Sequence, residues 1–459
     1  MRRAAIILAA LLQSAICNLI GGGAAQAATL PPIHHVFIIV LENENANSTF
    51  GPRSKAPYLA KTLRAKGQFL PNYYGIAHES LANYIAMVSG QGPNSNTQSD
   101  CQFFTEFLPG IPASDGQFVG QGCVYPRDAK TVADQLEGKG LVWKGYMEDM
   151  ANSPTEPKTC RQPAIGARDN TQLARRGDQY AARHNPFVYF HSIIDRPATC
   201  DANDVPLSRL VDDLRSRSRT AAYSFISPNL CRDGHDEPCV DGQPGGLVSA
   251  NGFLREWVPR ILRSPAFKSS GLLVITFDEA EAGGSTADSS ACCNEQPGPN
   301  TIDPGGRNPG PGGGRTAAVV ISRFVRPGSV NRTPYNHYAL LRSAEDLFGL
   351  GHLGFAGQAG LKPFGADVYN ARGGALRIRV RGVPKHGCAR AFMARVRIRA
   401  GGLRSVRARV DQRVVFRKRR ASFRVRVRAS RLRHGVHRFR VDVRARGGRA
   451  HSLNHFRTC

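Results

Sequence analysis

Two apolar runs in this chain end on acid. Val36–Leu41 (VFIIVL) passes straight into Glu42-Asn43, and Gly271–Phe277 (GLLVITF) into Asp278-Glu279, with no turn residue in between. One acid at a strand end is ordinary. Two such ends at one sheet edge would crowd carboxylates that repel each other until a cation sits among them. Ser80 opens a third segment, SLANYIAMV, whose apolar residues Leu81, Tyr84, Ile85 and Val88 recur at helical spacing. A Ser there commonly serves as an N-cap. It also stands in the positive field of a helix start, beside free N–H groups that can hold a phosphoryl oxygen. His78 and Asn83 flank it, Asp233 and His235 share the turn CRDGHDEPC, and His337 opens NHYALLRSAEDLFGL. Oxygen ligands around a divalent cation, next to a phosphoryl-binding helix start, are the chemistry these residues support.

Elements must carry these groups to one place. Strand candidates are 35–41, 221–227, 271–277 and 317–323, continuous apolar runs of the kind a parallel sheet buries on both faces. Helical segments fall at 56–66, 80–89, 130–138, 205–217, 251–263 and 336–349. The alternation predicts an α/β fold, a doubly wound α/β/α sandwich whose sites gather beyond the carboxyl ends of its strands. Segment 281–315, rich in Gly, Pro and Asn, reads as a long loop after a central strand.

The formal net charge of +27 suggests a nucleic-acid binder until it is located. Residues 373–459 hold 25 Arg and 2 Lys against 2 Asp, so the body from 28 to 372 is close to neutral. The tail alternates apolar residues with Arg (ALRIRVRG, ARVRIRAGG, ASFRVRVRAS), the period of half-buried strands. A small all-β sandwich with an Arg-studded outer face is expected there. Its partners would be anionic cell-surface polymers or lipid headgroups, held by charge. Nucleic acid is disfavoured, because the tail's few Phe residues mostly alternate as core positions.

Arg2-Arg3, an apolar stretch from Ala4 to Ile16, and Ala25-Gln26-Ala27 have the form of a signal peptide over 1–27. Export, to the medium, the periplasm or the cell surface, is the expectation, and no later stretch is apolar enough to span a bilayer. Removing Cys17 with the leader leaves ten of 11 Cys, an even number that suits disulfides in an oxidising compartment. Short loops suggest Cys101–Cys123, Cys160–Cys200 and Cys231–Cys239, and the tail could close through Cys388–Cys459. The adjacent Cys292 and Cys293 are expected not to pair with each other.

Together these segments resemble the phosphoesterase family that contains bacterial non-haemolytic phospholipases C and acid phosphatases, within the wider alkaline phosphatase superfamily. The resemblance runs over about 34–350. Glu42-Asn43 with Phe50-Gly51 is similar to the family's first-strand signature, and Ser80, Asn83 and Ser89-Gly90 to its nucleophile segment. Asp278-Glu279 matches its central acid pair, Gly314-Arg315 its late strand lead-in, and His337 to Glu345 its late helix. RHNPFVYF (183–190) and SPNLCRDGHD (227–236) are similar to segments of the smaller, single-domain branch. The resemblance implies that Glu42, Asn43, Asp278 and Glu279 hold one divalent metal ion, with a second as an option, and that His337 is either a further ligand or the cap of its helix. It further implies that Ser80 attacks phosphorus and forms a phosphoserine, while His235, His184 and Asn83 bind phosphoryl oxygens or protonate the leaving group. Segment 280–293 lacks the Asp-His of the phospholipase branch, and Arg315-Thr316-Ala317 and Ser322-Arg323-Phe324 also depart from relatives. These departures bear on substrate class.

The expectation is a secreted metal-dependent phosphoesterase of the acid phosphatase type, acting on phosphomonoesters. One rival is a phospholipase C acting on phospholipid headgroups. Another is a non-catalytic surface-binding protein on a degenerate phosphatase scaffold, with the basic tail as its active part. A transferase or sulfatase is weaker, since HESLAN is not a sulfatase stretch.

Overall fold

The computed structural model describes residues 30–371, 377–400, 403–445 and 448–459. The leader expected over 1–27 and the boundary expected at 372/373 lie outside the described residues.

An eight-stranded sheet forms the frame of the body. Its strands are β1 (His35–Leu41), β2 (Gln68–Leu70), β3 (Trp143–Met147), β4 (Asp204–Pro206), β5 (Tyr223–Ser227), β6 (Gly271–Phe277), β7 (Ala318–Ser322) and β8 (Ser329–Val330). They lie in the order β8-β2-β7-β6-β1-β5-β3-β4. Every residue of β1 and of β6 is buried, which is why both read as unbroken apolar runs. Val36, Ile38 and Val40 join one core with helices α1 (Ser80–Ser89) and α3 (His337–Phe348). Phe37, Ile39 and Leu41 join a second core with α2 (Gly246–Arg263) on the other face. The architecture is therefore the expected α/β/α sandwich.

One strand differs from expectation. β6, β1, β5, β3 and β4 are parallel, but β7 runs antiparallel to β6, with Ala318 opposite Thr276 and Ser322 opposite Leu272. The segment joining them returns to the sheet at the edge it left, with no crossover helix, and such a return pairs antiparallel.

The tail forms two antiparallel sheets from β9 (Arg377–Arg381), β10 (Phe392–Arg399), β11 (Leu403–Val410), β12 (Arg413–Arg417), β13 (Ser422–Val427), β14 (Gly435–Ala445) and β15 (Gly448–Thr458). The orders are β9-β10-β13 and β12-β11-β14-β15. Val396, Val425, Val406, Val441 and Phe439 fill one core between them. The alternating residues, largely Arg, face out.

Cys101–Cys123, Cys160–Cys200, Cys231–Cys239 and Cys388–Cys459 pair as expected. Cys292 and Cys293 do not follow expectation, because they are bonded to each other. Cys293 and Asn294 both adopt left-handed backbone, φ 68 and 56, and the tight turn lets neighbouring side chains meet.

Asp204 in β4 is buried far from these acid-tipped strands. Asn185 Nδ2 donates to its Oδ2 at 2.7 Å, while Oδ1 has no partner. Burial pushes its carboxyl up to about 8. The folded chain thus keeps a proton that the unfolded chain releases near pH 4, and stability falls as pH rises between those values. Asp204→Asn keeps the acceptor for Asn185, so it should raise Tm at pH 8 by about 3 °C or more and barely change it at pH 4. Thermal melts at the two pH values check this; no gain at pH 8 contradicts it.

Candidate active site

Register brings the two acid tips together. β1 and β6 are parallel neighbours with Leu41 opposite Phe277, so Glu42 and Asp278 leave the sheet side by side, one strand spacing of about 4.8 Å apart. β5 flanks β1 on its other side, and the loop after it delivers Asp233, whose carbonyl accepts from Glu42 N at 2.9 Å. α1 approaches the same edge by its N-terminus. Ser80 Oγ, buried, donates to Glu42 Oε2 at 2.7 Å, and the Asp278 carboxyl faces both Glu42 and Ser80.

His184 completes the cluster. Its ring stacks on Tyr84 of α1, centroids 5.1 Å apart and planes nearly parallel. Nε2 lies 3.2 Å from Glu42 Oε1, and Nδ1 lies 3.9 Å from Asp233 Oδ2. Neither contact is aligned as a hydrogen bond, so Glu42 Oε1, Asp233 Oδ2, Asp278 Oδ2 and both His184 nitrogens are buried polar atoms without partners.

Three buried carboxyls in one pocket cannot all ionise freely. Burial pushes Asp233 and Asp278 well above the usual carboxylate range, and the neighbouring Glu42 charge adds to it. Burial also opposes ionisation of Glu42, yet His184, Arg183 and the Ser80 hydroxyl hold it below its ordinary value. Glu42 is therefore the carboxyl that carries the charge.

The other expected residues fall in different places. Asn43 has left-handed backbone, φ 46, and its N–H donates to Asp278 Oδ1 at 3.0 Å. Its Oδ1 is buried without a partner, while Nδ2 reaches Glu279 Oε1 at 3.5 Å. Glu279 Oε2 is paired with His78 Nδ1. His235 is exposed, and Asp233 Oδ1 accepts its backbone N–H at 3.0 Å.

Two expectations are corrected. Asn83 does not face a phosphoryl group. Its Oδ1 accepts from Ile76 N and Ala77 N, at 2.8 and 3.2 Å, and its Nδ2 donates to the carbonyls of Ala77 and Glu79, at 2.8 and 3.2 Å. The amide is spent holding the turn that presents Ser80. His337 is not aimed at the pocket as a ligand, since Nε2 meets the Asp278 carbonyl and Nδ1 meets Tyr73 OH at 3.0 Å. It is not the cap either, because Asn336 accepts from Ala339 N. Burial lowers His337 to about 4, so a neutral ring braces the turn at Asp278.

Arg183 enters the site without having been singled out, and Asp233, named before only for its place in the CRDGHDEPC turn, is buried within it. Arg183 precedes His184, and its Nε lies 3.5 Å from Asp100 Oδ2. Asp100 Oδ1 in turn accepts from Leu81 N at 2.9 Å, at the first turn of α1. The only signal for Asp233 was its place two residues before His235 in a loop pinned by Cys231–Cys239.

The donor set fits a divalent cation. Glu42, His184 and Asp233 each offer an atom within 4.8 Å of the others. Asp278 Oδ2 and Asn43 Oδ1 add further buried oxygens lacking partners. Unmatched buried acceptors of this kind are destabilising unless something positive meets them.

A phosphoesterase family model matches residues 52–351. A phosphate-repressible acid phosphatase from Penicillium chrysogenum is 27% identical over 51% of this chain and 46% of that protein. A phosphatidylinositol-3-phosphatase from Mycobacterium tuberculosis is 25% identical over 78% of this chain and 92% of its own length. A solved protein of the alkaline phosphatase superfamily from Vibrio parahaemolyticus has 11% identity and a TM-score of 0.40, covering 82% of this chain and 78% of that one. The chain spans about half the length of the Penicillium relative. With its match across most of the sandwich, the chain belongs to the phosphoesterase family.

Proposed function

We propose that the protein is a metal-dependent phosphoesterase that hydrolyses phosphomonoesters through a phosphoserine at Ser80. The observation that carries this reading is the 2.7 Å contact between Ser80 Oγ and Glu42 Oε2 within a pocket of unmatched buried donor atoms. Glu42, Asn43, Asp278 and Glu279 would hold the cation, with His184 and Asp233 as further donors. A divalent cation held there supplies positive charge that makes the serine hydroxyl more acidic and offsets the phosphoryl charge.

Glu42, whose Oε2 accepts the Ser80 hydroxyl at 2.7 Å, would take the serine proton as the O–P bond forms. Ser80 Oγ attacks phosphorus in line, and the bond to the leaving oxygen breaks. His235, an exposed side chain in the Asp233 loop, would protonate that oxygen. Water then cleaves the phosphoserine. The positive field at the start of α1, where Leu81 N is already taken by Asp100, would support the equatorial oxygens. Arg183, ordered by Asp100, adds a nearby positive charge.

Two relatives named as phosphatases favour monoesters over the phospholipase C reading. Export of the mature chain, with 28–372 as the phosphoesterase unit and 373–459 as a separate basic unit, belongs to the same proposal. Five disulfides support it, being typical of oxidising compartments. Among the described residues, no helix is long and apolar enough to cross a membrane.

The test sets an aryl phosphate, an aryl phosphodiester and phosphatidylcholine side by side, with and without chelator. The monoester should turn over fastest, and chelation should cost about 100-fold or more, reversed by adding back a divalent metal. A marked preference for the lipid would move the reading to phospholipase C. No turnover of any substrate in any metal would leave a non-catalytic protein.

A further inference from the structure

We propose that the four-stranded sheet of the tail carries a binding site for linear chains of phosphate groups, built by Arg407, Arg409, Arg417, Arg440 and Arg444. These five line a cavity of about 590 Å³ in which, among the described residues, Asp442 is the single carboxylate. Strand register assembles them. β11 and β12 set Arg407 opposite Arg417. β11 and β14 set Arg409 opposite Arg440 and Ser405 opposite Arg444. Like charges directly opposite on one sheet face destabilise a ladder, so this arrangement favours an anion among them.

Asp442 offsets only one of the five charges. It accepts from Arg440 Nε at 2.7 Å and lies 3.7 Å from Arg409 Nη2, so it fixes the direction of two guanidinium groups. Inside this cluster Arg409 Nε and Asp442 Oδ2 are buried without hydrogen-bond partners among the described residues. Guanidinium forks match phosphate oxygens two at a time.

Shape and charge select the occupant. The site is concave, whereas a bilayer surface is flat. The outer face of the other sheet is basic too, with Arg381, Arg395 and Arg424 in one cross-strand row and Arg379 beside Arg397 in the next. A bilayer meets one face; a flexible chain can run over both. Among the described residues, no Phe, Tyr or Trp lines the cavity, so it offers no platform on which bases would stack. A phosphate chain without bases fits best. Binding of this kind does not depend on the chemistry at Ser80.

The test titrates the full-length protein with medium-chain inorganic polyphosphate across a range of salt concentrations. Binding should be salt-sensitive. The variant Arg417→Gln/Arg440→Gln/Arg444→Gln should bind at least about tenfold more weakly, and its log K against log salt slope should flatten by about 2, from three lost contacts at about 0.7 each. Its aryl-phosphate turnover should stay at the wild-type value. Arg440→Lys/Arg444→Lys keeps the charge but loses the forks, so it should keep the slope and lose affinity. This pair decides the matter if melting shows the triple variant misfolded. Unchanged binding or slope in the Gln variant overturns the proposal, as does equal affinity of the wild type and the Lys variant. So does tighter binding to anionic phospholipid vesicles or single-stranded DNA than to polyphosphate at equal phosphate concentration.

Discussion

Ser80→Ala should reduce kcat on an aryl phosphate by about 10⁴-fold or more, because a nucleophile has no partial substitute among the residues around it. The loss should not come from misfolding. Ser80 Oγ makes one side-chain bond, to Glu42 Oε2, while the turn that presents it is held by Asn83. Removing a single hydrogen bond to a buried charge costs about 1–3 kcal/mol at most, and the variant should melt as one cooperative unit. Retention of most of the rate would show that another group attacks phosphorus.

Asp278→Asn should lose about 10³-fold or more in kcat and yet make the chelated protein more stable. Asp278 Oδ1 accepts from Asn43 N and Glu279 N, and an amide oxygen preserves both bonds. Oδ2 has no partner, and an amide N–H there can donate to Glu42 instead of repelling it. The sign of the pH dependence follows from the shift. Burial and the Glu42 charge raise the Asp278 carboxyl above its unfolded value, so the folded chain binds the extra proton and loses stability as pH rises past that unfolded value. The gain from Asn should thus be present at neutral pH and vanish in acid. Wild-type protein should regain the difference on adding a divalent metal, through binding to the folded state alone, and the variant should not. Melting curves at two pH values, with chelator and with metal, decide it. A chelated variant less stable than wild type at pH 7 would contradict the account.

The acid-tipped strands were legible because an apolar run that ends abruptly on Glu42 or Asp278 has no packing reason to do so. Their convergence needed the pairing of Leu41 with Phe277, which pattern alone does not give. The direction of β7 was hidden for a similar reason, since a long Gly-rich loop can cross the sheet or come back. Asn83 and His337 were assigned by residue type. Only the structure reveals that backbone groups at 76–79 and 278 consume their hydrogen bonds. Asp233 looked like one acid in a Gly turn, and its burial against Glu42 depends on β5 lying next to β1. The Arg-rich tail was the easiest reading, because period-two alternation fixes which side chains enter the core, and Val396, Val425 and Val441 do so. Pairing of Cys292 with Cys293 was missed because it needs a left-handed turn, which nothing at that spot advertises.

Metal content measured alongside turnover, in wild type and in Glu42→Gln, addresses the core of the account. Wild-type protein should hold about one divalent cation per chain at this pocket, and Glu42→Gln should lose both the ion and the activity. A fully active protein free of metal, or a Glu42→Gln variant that keeps the ion and the rate, would mean that the gathered carboxylates do something else.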